Sequence, residues 1–101
     1  MKQLQLCIYI NETDMSGDFP LYEAIVRRFL HLQIAGATVA PALMGYGKHG
    51  KVHRKRLFGL SDDRPIVVTA IDEESRIRSL LPQLRAMVTE GLITIQEVQT
   101  V

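Results

Sequence analysis

Hydrophobic residues recur along this chain with two different periods, and the order of the periods predicts the fold. Residues 3–10 alternate apolar and polar positions in steps of two, which is typical of a β-strand with one buried face. From residue 21 the apolar positions recur every three to four residues. This predicts a helix with Asp18 as its N-terminal cap, Pro20 in its first turn and Gly36 as its stop.

The rest of the chain repeats the alternation of strand and helix. Residues 37–44 predict a second strand, in which Pro41 marks an edge position or a bulge because proline has no N–H to donate. Residues 66–71 form a nearly continuous β-branched run, which predicts a strand buried on both faces. Asp72 then caps a second helix that ends at Gly91, and residues 92–98 alternate as a last strand.

The order of these elements is β-α-β-β-α-β, which predicts an α+β fold: a ferredoxin-like sandwich with an antiparallel sheet and both helices on one of its faces. The second face of the sheet is then open. We expect the residues that line it to include Cys7, Tyr9, Val67, Ile93 and Ile95. Because a chain of 101 residues is marginal on its own, self-association is expected to cover this face.

Composition narrows the class of protein. With 47% hydrophobic and 23% charged residues, the 101-residue chain is expected to form a single soluble globular domain. Cys7 is the one cysteine, so no disulfide can form within the chain. No run of 18 apolar residues occurs, and the alternating N-terminus lacks the apolar core of a signal peptide. We therefore expect a cytoplasmic protein with no direct membrane insertion.

Charge is concentrated in one segment. Residues 48–56 carry five of the twelve basic residues and no acid, which leaves seven basic against eleven acidic residues elsewhere. Such a segment is typical of a loop that binds anions or an acidic partner, and like-charge repulsion predicts that residues 48–60 are mobile without a ligand. The absence of interleaved aromatic residues argues against nucleic acid as the partner. Gly50, between His49 and His53, argues against a helical metal site.

Glycines precede the basic segment. Gly45 and Gly47, together with Gly50, allow the backbone to approach a ligand closely, and successive N–H groups can bind an anion. The spacing matches neither a Walker A nor a dinucleotide-binding fingerprint. No arrangement of residues supplies a nucleophile, a base and an oxyanion donor together, so we do not expect an enzyme.

Four motifs, in order along the whole chain, resemble a known family. They are Pro20-Leu21-Tyr22-Glu23-Ala24, Gly36-Ala37-Thr38-Val39, Gly45-Tyr46-Gly47-Lys48-His49-Gly50 and Gly91-Leu92-Ile93-Thr94. Gly-x-Thr-Val followed by a Gly-aromatic-Gly-basic turn is similar to the second-strand region of the PII signalling proteins. The whole set is similar to the PII-like family catalogued as domain of unknown function 190.

The resemblance implies one PII-like domain over residues 1–101, with a basic mobile loop at about 46–60, assembled as a homotrimer. The clefts between subunits would hold an adenine nucleotide as an effector rather than a required cofactor, with Thr38 facing the base and the backbone of residues 45–48 approaching the phosphates. The loop would contact a partner protein, for which a membrane transporter or channel is one candidate. The ligand-site residues expected on this basis, with Arg54 or Arg56 closing the site from outside, are Thr38, Gly45, Tyr46, Gly47, Lys48, His49, Arg54 and Arg56.

Two departures from the PII pattern limit what the resemblance implies. The Gly-Asp-Gly-Lys turn that wraps the phosphates in PII proteins is replaced by Glu90-Gly91-Leu92-Ile93, with one glycine and no lysine. No tyrosine after Tyr46 can accept the regulatory modification of the PII loop. Both departures argue against classical ATP and 2-oxoglutarate sensing. An alternative of the same fold is a trimeric metal-binding protein similar to the divalent-cation tolerance proteins.

Overall fold

A computed structural model describes residues 1–47, 52–54 and 63–101 of the chain. Two helices and eight strands form from these residues. In chain order they are β1 (Gln3–Asn11), β2 (Met15–Ser16), β3 (Phe19–Pro20), α1 (Leu21–His31), β4 (Gly36–Pro41), β5 (Met44–Gly45), β6 (His53–Arg54), β7 (Pro65–Glu73), α2 (Glu74–Met87) and β8 (Leu92–Val98).

Four of the strands form the main sheet, in the order β4-β7-β1-β8, and each neighbouring pair is antiparallel. The short strands form two separate pairs, β2 with β3 and β5 with β6. The two long strands β1 and β7 occupy the centre, while β4 and β8 are the edges. This is the predicted ferredoxin-like order, and Pro41 lies on an edge strand as expected.

The core lies between the sheet and the two helices. Every second residue of β1, from Leu4 to Ile10, is buried, as the alternating sequence predicts. The helices contribute residues spaced three to four apart, among them Ile25, Phe29 and Ile77, each at most 1% exposed. Burial of one such side chain stabilises the fold by about 1.5–3 kcal/mol, so this row of contacts holds the helices on one face of the sheet.

The register of the strands shows which residues lie on the open face. Cys7 pairs with Thr94 and Tyr9 with Leu92, on the side of the sheet away from the helices. Ile93 and Ile95 pair with Ile8 and Leu6 and therefore lie on the helix side, where they pack against the core. The prediction of an open-face position is therefore confirmed for Cys7, Tyr9 and Val67 and is wrong for the two isoleucines, because β8 turns the face with Ile93 and Ile95 toward the helices.

The strand β7 also differs from its prediction. Ile66, Val68 and Ala70 are buried against the helices, but Val67 and the other alternate residues are only half-buried. The nearly continuous apolar run predicted burial on both faces. Among the residues that the structure describes, no second layer covers the open face, so that face of β7 stays half-exposed.

The first helix begins and ends at residues other than the predicted Asp18 cap and Gly36 stop. Pro20, not Asp18, is the residue before α1, and the Leu21 N–H donates to the Asp14 carbonyl oxygen, 2.7 Å away. The helix ends at His31 because Gln33 adopts a left-handed φ of 58°, and Gly36 already belongs to β4.

The second helix also begins and ends at residues other than those predicted. Glu73 rather than Asp72 precedes α2, and the helix ends at Met87, three residues before Glu90 and four before Gly91. Asp72 and Gly91 have other structural roles, and both roles depend on contacts between segments far apart in the chain.

An ion pair between Glu74 and Arg78 at the start of α2 predicts that the stability of the fold depends on pH. The Arg78 Nε lies 2.9 Å from the Glu74 Oε2, one helical turn away, and this hydrogen bond holds the pKa of the Glu74 carboxyl below its usual range. The pair therefore stabilises the fold above the carboxyl's ordinary pKa, and that stabilisation is lost as pH falls through the lowered one. A carboxyl titration by NMR should show a depressed Glu74 pKa that rises in Arg78→Gln. An unchanged Glu74 pKa in Arg78→Gln would contradict this.

Candidate functional site

The predicted ligand residues that the structure describes lie, apart from Thr38, at one end of the main sheet. At this end β4 and β1 finish and β7 and β8 begin. After β4 the chain turns, and the Ala42 N–H donates to the Pro65 carbonyl oxygen at 2.8 Å. Gly45 then packs so closely on the start of β7 that a Cβ there would lie 3.2 Å from the Pro65 Cγ. The turn is thus fixed against the central strand.

Part of the basic segment, residues 53–54, lies next to the turn that contains Gly45. The strand β6 pairs with β5, so that His53 lies opposite Gly45 and Arg54 opposite Met44. We call residues 45–47 the glycine turn. The pairing brings Arg54, one of the two predicted arginines, next to this turn. Lys48, His49 and Arg56 lie outside the described residues, as does most of the segment 48–60 for which we predicted mobility.

A second set of contacts holds the chain where the segment ends. The Arg64 guanidinium forms an ion pair with Glu12, and the Glu12 N–H donates to the Arg64 carbonyl oxygen at 2.9 Å. Beside them the Thr13 hydroxyl donates to the Asp63 carboxylate at 2.9 Å. The two ends of the segment 46–62 are therefore both anchored around Pro65. Sequence reasoning missed this anchor, because Glu12 and Arg64 share no motif and only the fold brings them together.

Thr38 lies on the open face of β4 within a row of small polar residues. It is exposed and faces Thr69 of β7, which in turn faces Cys7 of β1. The Cys7 Sγ is 4.0 Å from the Thr69 hydroxyl oxygen. Three residues of extended strand separate Thr38 from Pro41, a distance of about 10 Å along the sheet. Our sequence reasoning placed Cys7 on the open face but assigned it no part in the ligand site, and only the strand register places it in the same row as Thr38.

The glycine turn has free space on its outer side. Gly47 is exposed, and a Cβ added there would meet nothing within 4 Å. Neither Gly45 nor Gly47 adopts a left-handed φ; among the described glycines only Gly17 does, at 60°. What the turn offers a ligand is therefore an accessible backbone without a side chain. The neighbouring Tyr46 is 75% exposed and leaves its ring available for contact.

The described part of the chain was searched for metal-ligand clusters and for membrane-spanning helices. No group of three or more His, Cys, Asp or Glu side chains is close enough to hold a metal ion among residues 1–47, 52–54 and 63–101. Neither of the two described helices is both long and apolar enough to span a membrane.

Comparison with solved structures gives the same fold. The chain is similar to a nitrogen regulatory PII-like protein from Thiomonas intermedia K12, solved bound to ADP, AMP and bicarbonate, with a TM-score of 0.75 and 20% identity over 99% of this chain and 89% of that one. It is also similar to the periplasmic divalent cation tolerance protein CutA from Archaeoglobus fulgidus, with a TM-score of 0.61 and 15% identity over 96% and 86% of the two chains. At these identities the likeness shows the fold alone.

Sequence comparison shows closer relatives. A UPF0166 protein of Aquifex aeolicus is 33% identical over 101 residues, which cover 100% of this chain and 95% of the relative. A UPF0166 protein of Methanocaldococcus jannaschii is 33% identical over 93 residues, 91% of this chain and 85% of that protein. The model of the DUF190 family, described as an uncharacterized ACR family, matches residues 3–100. The chain therefore belongs to the DUF190 family, and its fold is that of the PII-like proteins.

Proposed function

We propose that this protein is a PII-like regulatory module that binds an adenine nucleotide at the boundary between copies and contacts a partner protein through its basic segment. It acts in the cytoplasm as a homotrimer, catalyses no reaction and requires no cofactor. The observation that carries the proposal is the position of the accessible Gly45–Gly47 backbone at the sheet end, on the same strand connection as Thr38.

The distances fit a mononucleotide. Thr38 and the turn after Pro41 are separated by about 10 Å of strand, which is comparable to the span from a purine base to its phosphates. A base placed against Thr38 would lie on the open face beside Thr69 and Cys7. The phosphates would then reach the glycine backbone, next to Arg54 of the paired strand β6. Backbone N–H groups and arginine are the usual ligands of phosphate in proteins.

The similar structures support the class of ligand. The PII-like protein from Thiomonas intermedia, which shares this fold, was solved with ADP and AMP. An open sheet face with Tyr9, Val67 and Leu92 on it supports self-association, because a chain of this size gains stability by covering such a surface. The threefold count comes from the PII-like resemblance.

Isothermal titration calorimetry with ADP and AMP tests the nucleotide site. Gly47→Val should abolish binding, because the added side chain fills the space a phosphate would enter. It should leave the fold intact, since no described residue lies within 4 Å of a Cβ at this position. Lys48→Ala should weaken binding about tenfold or more through the loss of a charge-assisted hydrogen bond. Lys2→Ala, at the opposite end of β1, is the matched control and should bind as the wild type does. No binding of either nucleotide to the wild type would remove the proposal.

Cys7 provides a second measurement at the base site. Its thiol is half-buried beside Thr69 and is the one thiol of the chain, so alkylation reports on this place alone. ADP should slow alkylation of Cys7 in the wild type and leave the rate unchanged in Gly47→Val. Equal protection in both proteins would place the nucleotide elsewhere.

Divalent-cation binding is the competing function, and the likeness to CutA in fold is the observation behind it. A thermal-shift screen separates the two, because a ligand that binds the folded state raises the melting temperature. Stabilisation by nucleotides alone supports our proposal. Stabilisation by divalent metals alone would support the cation-binding alternative.

A further inference from the structure

The hairpin formed by β5 and β6 carries apolar side chains that are exposed. Met44 lies opposite Arg54 in this hairpin. Two steps further in the same register Tyr46 would lie opposite Val52, and alternation along paired strands puts these side chains on one face with Met44. The three apolar side chains are between 52% and 75% exposed. Together with the preceding residue, which is 92% exposed, they form what we call the hairpin patch: Leu43, Met44, Tyr46 and Val52.

The hairpin patch is exposed although the backbone beneath it is held in place. The Ala42 N–H donates to the Pro65 carbonyl oxygen at 2.8 Å, and Gly45 packs against the ring of the same proline. The hairpin is thus fixed against the central strand β7. Exposed apolar side chains that occur singly are common on protein surfaces, whereas contiguous ones mark a binding surface. The hairpin patch therefore has the properties of a docking surface.

The part of the chain that carries the patch has basic residues and no acidic ones. No Asp or Glu occurs from residue 24 to residue 61, and the five cations of residues 48–56 lie in this stretch. Two acids beside Pro65 are engaged elsewhere, because Glu12 pairs with Arg64 and Asp63 accepts a hydrogen bond from the Thr13 hydroxyl. A partner that matches the patch is therefore anionic and offers an apolar layer.

The kinds of residue favour a lipid bilayer over a protein as this partner. Three of the five cations are lysines, at positions 48, 51 and 55, and lysine is depleted in protein–protein interfaces. Clusters of about four to eight Lys and Arg beside apolar side chains are typical of segments that bind anionic headgroups. Tyrosine, here Tyr46, is enriched at the headgroup level of membranes, because its ring is apolar and its hydroxyl stays hydrated.

We infer that the hairpin patch docks on an anionic lipid bilayer. Leu43, Met44 and Val52 then enter the headgroup layer, while Arg54 faces the lipid phosphates and the other cations of the segment add to the attraction. Few apolar side chains or one basic cluster alone bind a bilayer weakly, but the two together give stable and reversible attachment. This inference goes beyond the partner protein proposed above and does not depend on nucleotide binding.

Co-sedimentation with vesicles tests the docking. The wild type should bind vesicles of equal amounts of phosphatidylcholine and phosphatidylserine, and it should bind vesicles of phosphatidylcholine alone much more weakly. Leu43→Ser should weaken binding about tenfold, because docking removes this side chain from water. Leu30→Ser is the matched control and should bind as the wild type does, since Leu30 is 78% exposed but lies in the last turn of α1, toward the opposite end of the sheet.

The contribution of charge is tested in the same assay. Arg54→Gln should weaken binding to the phosphatidylserine vesicles about fivefold, the usual effect of one basic residue near an anionic surface. Arg78→Gln is the matched control and should have little effect, since Arg78 lies at the start of α2 and pairs with Glu74. Added salt should weaken the binding of the wild type, because it screens the attraction.

Tryptophan fluorescence measures contact with the bilayer directly, because the chain contains no tryptophan of its own. The emission of Leu43→Trp should shift to shorter wavelengths when phosphatidylserine vesicles are added. The emission of Leu30→Trp should stay unchanged. Both positions are exposed, so we expect each variant to keep the circular dichroism spectrum of the wild type.

Three results would each overturn the inference. No binding of the wild type to phosphatidylserine vesicles would leave the basic segment with a partner protein alone. Equal affinities of Leu43→Ser and Leu30→Ser would show that the hairpin patch takes no part in the contact. An unshifted Leu43→Trp spectrum on vesicles that carry the bound protein would show that this side chain stays in water.

Discussion

Gly91→Ala is expected to lower the free energy of unfolding by about 2–3 kcal/mol, because the position has no room for a side chain. A Cβ at Gly91 would lie 2.7 Å from the Tyr9 carbonyl oxygen and 2.8 Å from the Val88 Cγ1. One of these neighbours is backbone of the central strand β1, which cannot move without disturbing the sheet. The turn between α2 and β8 must therefore shift as a whole.

Thermal and urea denaturation measure this effect. For a domain of this size, 2–3 kcal/mol corresponds to a fall in melting temperature of about 10–20 °C. Gly47→Ala is the matched control, since a Cβ there meets nothing within 4 Å, and its stability should stay within about 0.5 kcal/mol of the wild type. Equal stability of the two variants would show that the turn relaxes around the new methyl group.

The position of Gly91 shows where sequence reasoning fails in this fold. A glycine after an apolar helical run is the usual signal for a helix end, and the same signal was assigned to Gly36. Both helices end earlier, α1 through a left-handed Gln33 and α2 at Met87. Gly91 is needed for a close approach to β1, a contact between segments about 80 residues apart. No local pattern contains that information.

The alternation of strands and helices was predictable because each period is set by local geometry. The core stripe of β1 and the last strand, residues 92–98, lie where the periods place them. The side to which β8 turns its isoleucines was not predictable, because a one-residue slip of a strand exchanges its faces and each face of β8 carries both apolar and polar residues. Ile93 and Ile95 therefore line a groove between α2 and β8, next to Arg85, instead of the open face.

The candidate site also has features that the sequence predicts and features that depend on the fold. The glycine turn could be predicted from the sequence, because backbone access is a local property, whereas Thr38 was expected at the site through the resemblance to the PII proteins. The anchor between Glu12 and Arg64 and the polar row from Thr38 to Cys7 depend on strand register. These non-local contacts hold the glycine turn and Thr38 in place relative to each other.

Asp72→Ala is expected to cost about 3 kcal/mol, because one buried carboxylate satisfies three donors from two parts of the chain. Asp72 is 7% exposed and accepts hydrogen bonds from the Glu73 N–H at 2.7 Å and the Ala35 N–H at 3.0 Å. The Arg76 Nε lies 3.0 Å from the same carboxylate. Hydrogen bonds to a charged group contribute about 1.5–3 kcal/mol each, and removal of the acceptor leaves the Ala35 N–H without its partner.

The arginine extends this contact to the end of α1. Arg76 also donates to the carbonyl oxygens of Leu32 and Gln33, so Asp72 and Arg76 together fix the connection that leads into β4. This connection leads directly into β4, on which Thr38 lies on the open face, and we expect it to hold that edge strand against β7. Loss of the contact should loosen β4 more than β1, which is held from both sides.

A double-mutant cycle and hydrogen exchange test this coupling. Asp72→Ala combined with Arg76→Ala should cost less than the sum of the two single changes, since each alone removes the same ion pair. Amide exchange in Asp72→Ala should rise in β4, residues 36–41, while the central strand β1 keeps its protection. Additive costs, or equal loss of protection in both strands, would show that Asp72 stabilises the fold as a whole and does not set the position of Thr38.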